Sequence, residues 1–100
     1  MDRHTVIALL KHHQAELSEL GVLTVSIIGS TARNEATASS DVDLAVKLTP
    51  APRGFAHLER MDRLRERIAD ILGCSVDVIE EPSPSPRVQR GIDQDRVLAF

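Results

Sequence analysis

Aromatic residues are scarce in this sequence, which has no tryptophan or tyrosine and only two phenylalanines, Phe55 and Phe100. Recognition of single-stranded nucleic acid by base stacking depends on aromatic side chains, so that mode of binding is not expected. Positive charge is also in short supply, because the formal net charge is −3 at pH 7. A protein that binds a phosphate backbone needs a basic face. We therefore expect no direct nucleic-acid partner.

Cysteine and long apolar runs are scarce as well. The single cysteine, Cys74, excludes an internal disulfide and a cysteine-rich zinc site. No apolar stretch approaches the ~20 residues that a membrane-spanning helix needs, and the first four residues are not typical of a signal peptide. We expect one domain, residues 1–100, located in the cytoplasm and without a membrane partner.

Three segments carry the pattern of β-strands. Residues 22–28 are almost uniformly apolar and rich in β-branched side chains, which is typical of a strand buried on both faces. Residues 41–48 alternate apolar and polar side chains, which indicates a half-buried strand. Residues 74–80 form the third strand, and the last residues, 96–100, are predicted to be an edge strand or a turn.

Helical patterns lie between these strands. They cover residues 3–19, a short stretch from about Ser30, residues 55–72, and a short stretch from residue 87 to about residue 91, for which Ser85 is the expected cap and Pro86 the first helical position. Asp2 is the expected cap of the first helix and Gly21 its end, while Gly73 ends the long helix that has Phe55 on its apolar stripe. Helices that alternate with strands in this way predict an α+β (two-layer α/β) domain with helices packed on a sheet.

Two aspartates one residue apart stand at the start of the second strand. Side chains at positions i and i+2 of a strand share a face, so Asp41 and Asp43 are expected about 7 Å apart over the same spot. Two carboxylates this close repel each other unless a cation neutralises them, and oxygen-only ligands suit magnesium. The alternative is that Asp41 caps the strand and Asp43 faces solvent.

Asp77 is a third candidate, because it lies between two valines in the middle of the third strand. Aspartate is disfavoured there, and a buried charge without a partner is unfavourable. If this strand neighbours the second strand with Asp77 on the same face, three carboxylates converge. A local hydrogen bond or an exposed edge would also accommodate Asp77.

The Gly29-Ser30 pair stands where the first strand meets the short helix. The start of a helix offers free N–H groups and the positive end of a dipole, which suit a phosphate group. Gly29 allows close approach to the backbone, the Ser30 hydroxyl can bind a phosphate oxygen, and Arg33 lies about one turn later. Taken alone, Gly-Ser is an ordinary helix start.

The order of these residues resembles the nucleotidyltransferase superfamily of the DNA polymerase beta type, which has a Gly-Ser pair followed by D-x-D. The stretch "GSTAR…SSDVDLAV" is similar to the minimal nucleotidyltransferases, the smallest branch of that superfamily. The matching residues are Gly29, Ser30, Arg33, Ser40, Asp41, Asp43, Leu44 and Asp77. One departure is Asn34, where glycine is common in the family. Asparagine tolerates a left-handed backbone, so we expect the turn to survive.

The resemblance implies the nucleotidyltransferase fold, a small mixed sheet of about three strands with helices packed on it. It also implies two magnesium ions held by Asp41, Asp43 and Asp77, which would be the catalytic and metal-binding residues. Gly29, Ser30 and Arg33 would bind the phosphates of ATP, the nucleotide substrate.

The acceptor of the nucleotide is expected to come from another molecule, since the strands and helices use almost all hundred residues. Minimal nucleotidyltransferases resembling this chain occur as antitoxins of HEPN-domain RNase toxins and attach AMP to a tyrosine of the toxin. We adopt that function as the leading hypothesis. Two alternatives stay open: an antitoxin that acts by complex formation without catalysis, and a small-molecule nucleotidyltransferase of the aminoglycoside type.

Overall fold

The computed structural model of the chain describes residues 1–37, 41–50 and 53–100. Its helices are α1 (Arg3–His12), α2 (Gln14–Glu19), α3 (Gly29–Ala32), α4 (Phe55–Leu72) and α5 (Pro86–Asp95). Its strands are β1 (Val22–Ile28), β2 (Val42–Leu48), β3 (Val76–Glu81) and β4 (Val97–Leu98). No helix within these described ranges is long and apolar enough to cross a membrane.

The strands form one four-stranded mixed sheet in the order β3-β2-β1-β4. β1 runs antiparallel to β2 and to β4, whereas β2 and β3 are parallel and are joined by the crossover helix α4. The predicted α+β fold, with helices packed on a small mixed sheet, is confirmed. The sheet has one strand more than the predicted number, because residues 97–98 pair with β1 as an edge strand.

The main core lies between one face of the sheet and helices α1, α2 and α4. The sheet contributes Val25, Ile27, Val42, Leu44 and Val46, and the helices contribute Val6, Leu10, Leu17, Leu64, Ile68 and Leu72. Fully burying a side chain of this size contributes roughly 1.5–3 kcal/mol. The alternation in β2 therefore acts as predicted, since Val42, Leu44 and Val46 are all directed into this core.

The helix predicted over residues 3–19 is in fact two helices. It begins as expected, because the Asp2 side chain accepts a hydrogen bond from the Thr5 N–H at 2.8 Å. The break occurs at His13, whose backbone leaves helical geometry at φ −103° and ψ 16°. The His13 ring Nδ1 donates to the Leu9 carbonyl oxygen at 3.0 Å, which supports the turn between α1 and α2.

The prediction that Phe55 lies on the buried stripe of α4 is wrong. The Phe55 side chain is 85% exposed, and Leu58 is 59% exposed. The buried residues of α4 are Leu64, Ile68 and Leu72, all in its second half. The first turns of the helix therefore extend past the core. The end of α4 is as predicted, because Gly73 adopts the left-handed conformation at φ +69°.

Helix α5 covers part of the other face of the sheet. Ile92 of α5 packs with Ile28, Ala45 and Ile79, and Ala45 is fully buried beneath it. The expectation of a half-buried β2 is therefore wrong at Ala45. The predicted last helix is also longer than expected, since α5 continues to Asp95. Its start is as predicted, with Ser85 accepting a hydrogen bond from the Val88 N–H and Pro86 in the first turn.

A buried ion pair fixes the end of α5 to the sheet. The Glu81 side chain on β3 is fully buried and receives both terminal nitrogens of Arg96, one of them at 3.0 Å. Gln89 donates to the same carboxylate at 3.0 Å, and Arg96 also donates to the Ser26 hydroxyl of β1 at 3.1 Å. Burial favours a higher pKa of Glu81, but the hydrogen bonds from Arg96 and Gln89 outweigh burial and lower the pKa.

Candidate active site

The structure places Asp43 and Asp77 side by side on the face of the sheet that carries α5. Asp43 lies on β2 and Asp77 on β3, and the two residues are register partners in the parallel pair. Neighbouring strands lie about 4.8 Å apart, and side chains at paired positions of parallel strands have the same direction. Two carboxylates that are far apart in the sequence are thus adjacent in the fold.

The electrostatic environment of Asp43 reflects this crowding. The Asp43 side chain is partly buried, and its burial raises the pKa of the carboxyl. The negative charges of Asp77 and then Asp41 raise the pKa further, while the positive charge of Arg33 lowers it. The net effect is an increase in the pKa of Asp43. A bound cation would remove the repulsion that causes part of this increase.

Asp41 lies just before the first residue of β2 and is exposed. The negative charge of Asp41 contributes to the raised pKa of Asp43, although Asp41 is not among the paired residues of β2 and β3. Ser40, the preceding residue of the family pattern, lies outside the described residues. Within residues 1–37, 41–50 and 53–100, no three acidic, histidine or cysteine side chains are already arranged as a metal site. The structure therefore brings Asp43 and Asp77 together, with Asp41 as a neighbouring charge at the strand start.

Gly29 connects the helix start to these carboxylates. Its neighbour Ile28 is the register partner of Asp43 across the β1–β2 pair. Gly29 has a φ of +67°, and a Cβ atom at this position would lie 2.6 Å from Oδ2 of Asp43. Real Cβ atoms essentially never approach another atom below 3.0 Å, so any other residue at this position would force the Asp43 side chain to move. The Gly29-Ser30 corner therefore lies beside the Asp43 carboxylate.

The turn after α3 has the conformation that its asparagine was expected to tolerate. α3 ends at Ala32, Arg33 caps it, and Asn34 has a positive φ of 61°. Asparagine is one of the few residues other than glycine that adopts this left-handed region readily. The departure from the family pattern at Asn34 therefore leaves the turn intact. Ser30 lies in α3 itself, and no side-chain hydrogen bond caps this helix.

Arg33 is paired with two acidic residues that the sequence reasoning did not identify. Its Nη1 donates to Asp95 at 2.7 Å, and its Nε donates to Glu35 at 3.2 Å. Asp95 is the last residue of α5 and is separated from Arg33 by 62 positions. No spacing rule connects residues so far apart. Only the position of α5 on the sheet brings them together.

The donor set of this region fits a hard divalent cation such as magnesium. Magnesium prefers carboxylate oxygens and retains water and substrate phosphate as further ligands. Asp41, Asp43 and Asp77 provide carboxylate oxygens only, and the negative charges of Asp77 and Asp41 add to burial in raising the pKa of Asp43. The exposure of Asp41 and Asp77 leaves room for water and phosphate ligands.

A cavity of about 400 Å³ opens at the other end of the sheet, where β1 begins and β2 ends. Gly21, Thr49, Arg60 and Arg63 are among its lining residues. Arg60, a lining residue, donates to the Thr49 carbonyl oxygen at 3.1 Å. None of the three aspartates lines it, so the cavity is separate from the candidate active site.

Comparison with known proteins identifies the family of the chain. Residues 10–98 match the nucleotidyltransferase domain family. A Methanocaldococcus jannaschii protein with the provisional name protein adenylyltransferase is 32% identical over 90 residues, which is 89% of this chain and 88% of that protein. A Thermococcus cleftensis protein named protein adenylyltransferase MntA is 34% identical over 77 residues, which is 76% of this chain and 74% of that protein.

Solved structures share the fold. One that is provisionally described as a minimal nucleotidyltransferase has a TM-score of 0.79 at 28% identity and covers 97% of this chain and 95% of its own. A chain from a Shewanella oneidensis complex, described as a tri-AMPylated HEPN toxin with an MNT antitoxin, has a TM-score of 0.56 at 17% identity. It covers 90% of this chain and 71% of its own, a likeness of fold alone. The chain therefore belongs to the nucleotidyltransferase domain family, and its fold matches that of a structure described as a minimal nucleotidyltransferase.

Proposed function

We propose that this protein is the antitoxin of a HEPN/MNT toxin–antitoxin pair and transfers AMP from ATP to a tyrosine hydroxyl of the partner HEPN RNase toxin, neutralising it. One geometric observation carries the proposal: the Asp43 carboxylate lies beside both its register partner Asp77 and the Gly29-Ser30 corner. Relatives named protein adenylyltransferases, one of them MntA, support the reaction type. The shared fold with a chain of an AMPylated HEPN toxin complex supports the class of partner.

Asp41, Asp43 and Asp77 are the residues we assign to hold magnesium, in line with the donor set described above. Two bound magnesium ions would stabilise the negative charge on the entering and leaving oxygens of the displacement. The protein's own contribution is to hold the carboxylates in place. β2 and β3 do this through their parallel pairing, which keeps Asp43 and Asp77 adjacent without support from a flexible loop.

The nucleotide phosphates are assigned to the Gly29-Ser30 corner and Arg33. The Ser30 hydroxyl and the N–H groups at the start of α3 are suited to phosphate oxygens, and the absence of a side chain at Gly29 lets this corner lie beside the Asp43 carboxylate. The Arg33 guanidinium adds a positive charge whose influence extends to Asp43. These groups would keep the β- and γ-phosphates on the side opposite the attacking hydroxyl.

In the proposed reaction, the tyrosine oxygen forms a bond to the α-phosphorus of ATP. The bond from the α-phosphorus to the oxygen that bridges it to the β-phosphorus breaks, and pyrophosphate leaves with that electron pair. The tyrosine hydroxyl releases its proton to solvent water, and the product is a tyrosine that carries AMP through a phosphodiester. In-line geometry requires the tyrosine to approach from the carboxylate side.

The position of the site suits an acceptor from another protein. Asp41, just before β2, and Asp77, the second residue of β3, are both exposed, whereas Asp43 is partly buried. A side chain presented by a partner can therefore reach the carboxylates from solvent.

The experiment incubates the protein with its HEPN partner, magnesium and ATP labelled at the α-phosphate. We expect label on the HEPN protein, loss of that label when its acceptor tyrosine is replaced by phenylalanine, and loss of transfer when EDTA is added. Asp43→Asn should abolish transfer because the substitution removes one carboxylate charge from the proposed metal site. Asp62→Asn is the matched control, since Asp62 pairs with Arg65 on the exposed face of α4.

The same samples are assayed for RNase activity. Toxin that is neutralised by the wild-type protein but not by Asp43→Asn supports catalysis as the mechanism. Neutralisation without label, retained by Asp43→Asn, would show that complex formation alone is sufficient and would reject the catalytic proposal.

A further inference from the structure

Arg33 is held by residues from two different parts of the chain. Glu35 comes from the turn that follows α3, two residues after Arg33, and its side chain is 65% exposed. Asp95 comes from the end of α5 and its side chain is 28% exposed. The shorter contact is the one to Asp95, at 2.7 Å. Of the two partners, Asp95 is both closer to Arg33 and more shielded from solvent.

Asp95 is itself fixed to the sheet. The next residue, Arg96, is bound to the fully buried Glu81 of β3 and to the Ser26 hydroxyl of β1. Ile92, three residues before Asp95, packs against Ile28 and Ala45 beneath α5. The Asp95 carboxylate therefore stands on a helix end that is anchored on both sides, next to the strands that carry the candidate active site.

Given the proposed function, on which this inference rests, we propose that Asp95 is a positioning residue that holds the Arg33 guanidinium at the nucleotide phosphates. Arg33 lies close enough to Asp43 for its charge to act there. The two ion pairs use Nη1 and Nε, and a guanidinium carries five N–H donors, so it can bind a phosphate oxygen while it remains paired with Asp95. A long side chain held in place loses less entropy when the nucleotide binds.

A competing role for Asp95 makes the opposite prediction. If Asp95 only competed with the phosphates for the Arg33 guanidinium, removing the Asp95 charge would free Arg33 and strengthen nucleotide binding. Positioning predicts weaker binding after neutralisation. The sign of the change in affinity therefore distinguishes the two roles.

The test measures the dissociation constant of the magnesium complex of AMP-PNP, an ATP analogue that cannot transfer its nucleotide, by isothermal titration calorimetry. Asp95→Asn should weaken binding about fivefold, the effect of an exposed ion pair at the upper end of its usual range. Asp95→Glu, which retains the charge, should bind more tightly than Asp95→Asn. Asp62→Asn, which removes the Asp62–Arg65 pair on α4, is the matched control and should bind as the wild type does.

A double-mutant cycle with Arg33→Ala identifies the route of the effect. If Asp95 acts through Arg33, Asp95→Asn makes no further difference once Arg33 is absent. In the AMP-transfer assay, Asp95→Asn should raise the KM for ATP and leave kcat nearly unchanged. Thermal melts of each variant check that the fold is retained.

Unchanged or tighter binding by Asp95→Asn would overturn the inference, as would an equal loss of affinity in the Arg33→Ala background. Wild-type protein that does not bind AMP-PNP with magnesium would overturn the proposed function itself. If Arg33→Ala bound AMP-PNP as tightly as the wild type does, Arg33 would not belong to the phosphate site and Asp95 would have no positioning role. The assignment of Asp41, Asp43 and Asp77 to the metal site would not be affected by that result.

Discussion

Replacing Gly29 by alanine is expected to disturb the Asp43 carboxylate beyond the ordinary effect of alanine at a positive φ. The chain provides a matched control in Gly73, which caps α4 with nearly the same φ, +69° against +67° at Gly29. A Cβ atom at Gly73 would have no neighbour within 4 Å, whereas one at Gly29 would lie 2.6 Å from Oδ2 of Asp43. The difference between the two variants therefore isolates the contact with Asp43.

The magnitude follows from the two contributions. Placing alanine in the left-handed region destabilises each variant by about 1–2 kcal/mol. At Gly29 the Asp43 carboxylate must also move until Oδ2 lies more than 3.0 Å from the new Cβ atom. The Cβ and Cγ atoms of Asp43 would lie only 3.4 Å from that atom, so the side chain has little room to move. Forcing a side chain out of its preferred rotamer costs about 0.5–1.5 kcal/mol. Gly29→Ala should therefore be about 1 kcal/mol less stable than Gly73→Ala, a difference of about 4–8 °C in Tm for a domain of this size.

The effect on activity should be larger than the effect on stability. A displacement of a reacting group by about 1 Å can reduce the rate about 100-fold. We therefore expect Gly29→Ala to lose most AMP transfer at a temperature where both variants are folded, and Gly73→Ala to retain it. Thermal melts provide Tm, and the labelled-AMP assay with the HEPN partner provides the rate.

Equal Tm values and equal transfer rates for the two variants would refute the argument that Gly29 is required by the closeness of Asp43. A further check uses Asp43→Ala. If the excess destabilisation comes from this contact, combining Gly29→Ala with Asp43→Ala should be less destabilising than the sum of the single changes.

Three further predictions concern stability. Asp43→Asn should raise the free energy of unfolding at pH 7, because burial and the neighbouring acidic charges raise the pKa of this carboxyl and thus oppose its ionised form; thermal melts measure the gain. The pKa of Glu81 lies below its usual 4.5, so its ion pair with Arg96 should stabilise the fold fully above that pH and progressively less below it. The free energies of unfolding of wild type and Glu81→Gln, measured by urea titration, should therefore become more similar as the pH falls. Phe55→Ser should change the free energy of unfolding by less than about 0.5 kcal/mol, whereas Leu64→Ala should lower it by about 2–5 kcal/mol in urea titrations.

Each of these expectations can fail in a defined way. A lower Tm for Asp43→Asn would mean that the carboxylate stabilises the free protein. If the difference in the free energy of unfolding between wild type and Glu81→Gln stayed constant across the acidic pH range, the Glu81 carboxyl would not titrate with a lowered pKa. A large loss of stability in Phe55→Ser would place Phe55 in the core after all.

The strands and their site-bearing positions could be predicted because local pattern determines them. The alternation of Val42, Leu44 and Val46 with polar residues places Asp43 on the opposite face from the core, whatever the strand pairs with. Gly73 and Ser85 could be predicted as helix boundaries because capping depends only on neighbouring residues. The family pattern added the expectation that Asp77 belongs with Asp43.

Features that depend on how distant elements pack were not predictable in the same way. The periodicity of α4 is the same along its length, so the sequence does not reveal that Phe55 extends beyond the core. The position of α5 on the sheet determines the burial of Ala45 and the pairing of Arg33 with Asp95, and no local pattern shows it. The break at His13 is similarly hidden, since the apolar spacing continues through it.

A crystal structure of the protein with AMP-PNP and manganese in place of magnesium would locate the metal through the anomalous signal of manganese and the triphosphate through its electron density. We predict metal density in direct contact with carboxylate oxygens of Asp43 and Asp77, and the β- and γ-phosphates at the Gly29-Ser30 corner. Metal and triphosphate bound elsewhere, for example in the cavity beside Arg60 and Arg63, with no ligand at Asp43, would contradict the assignment of the active site.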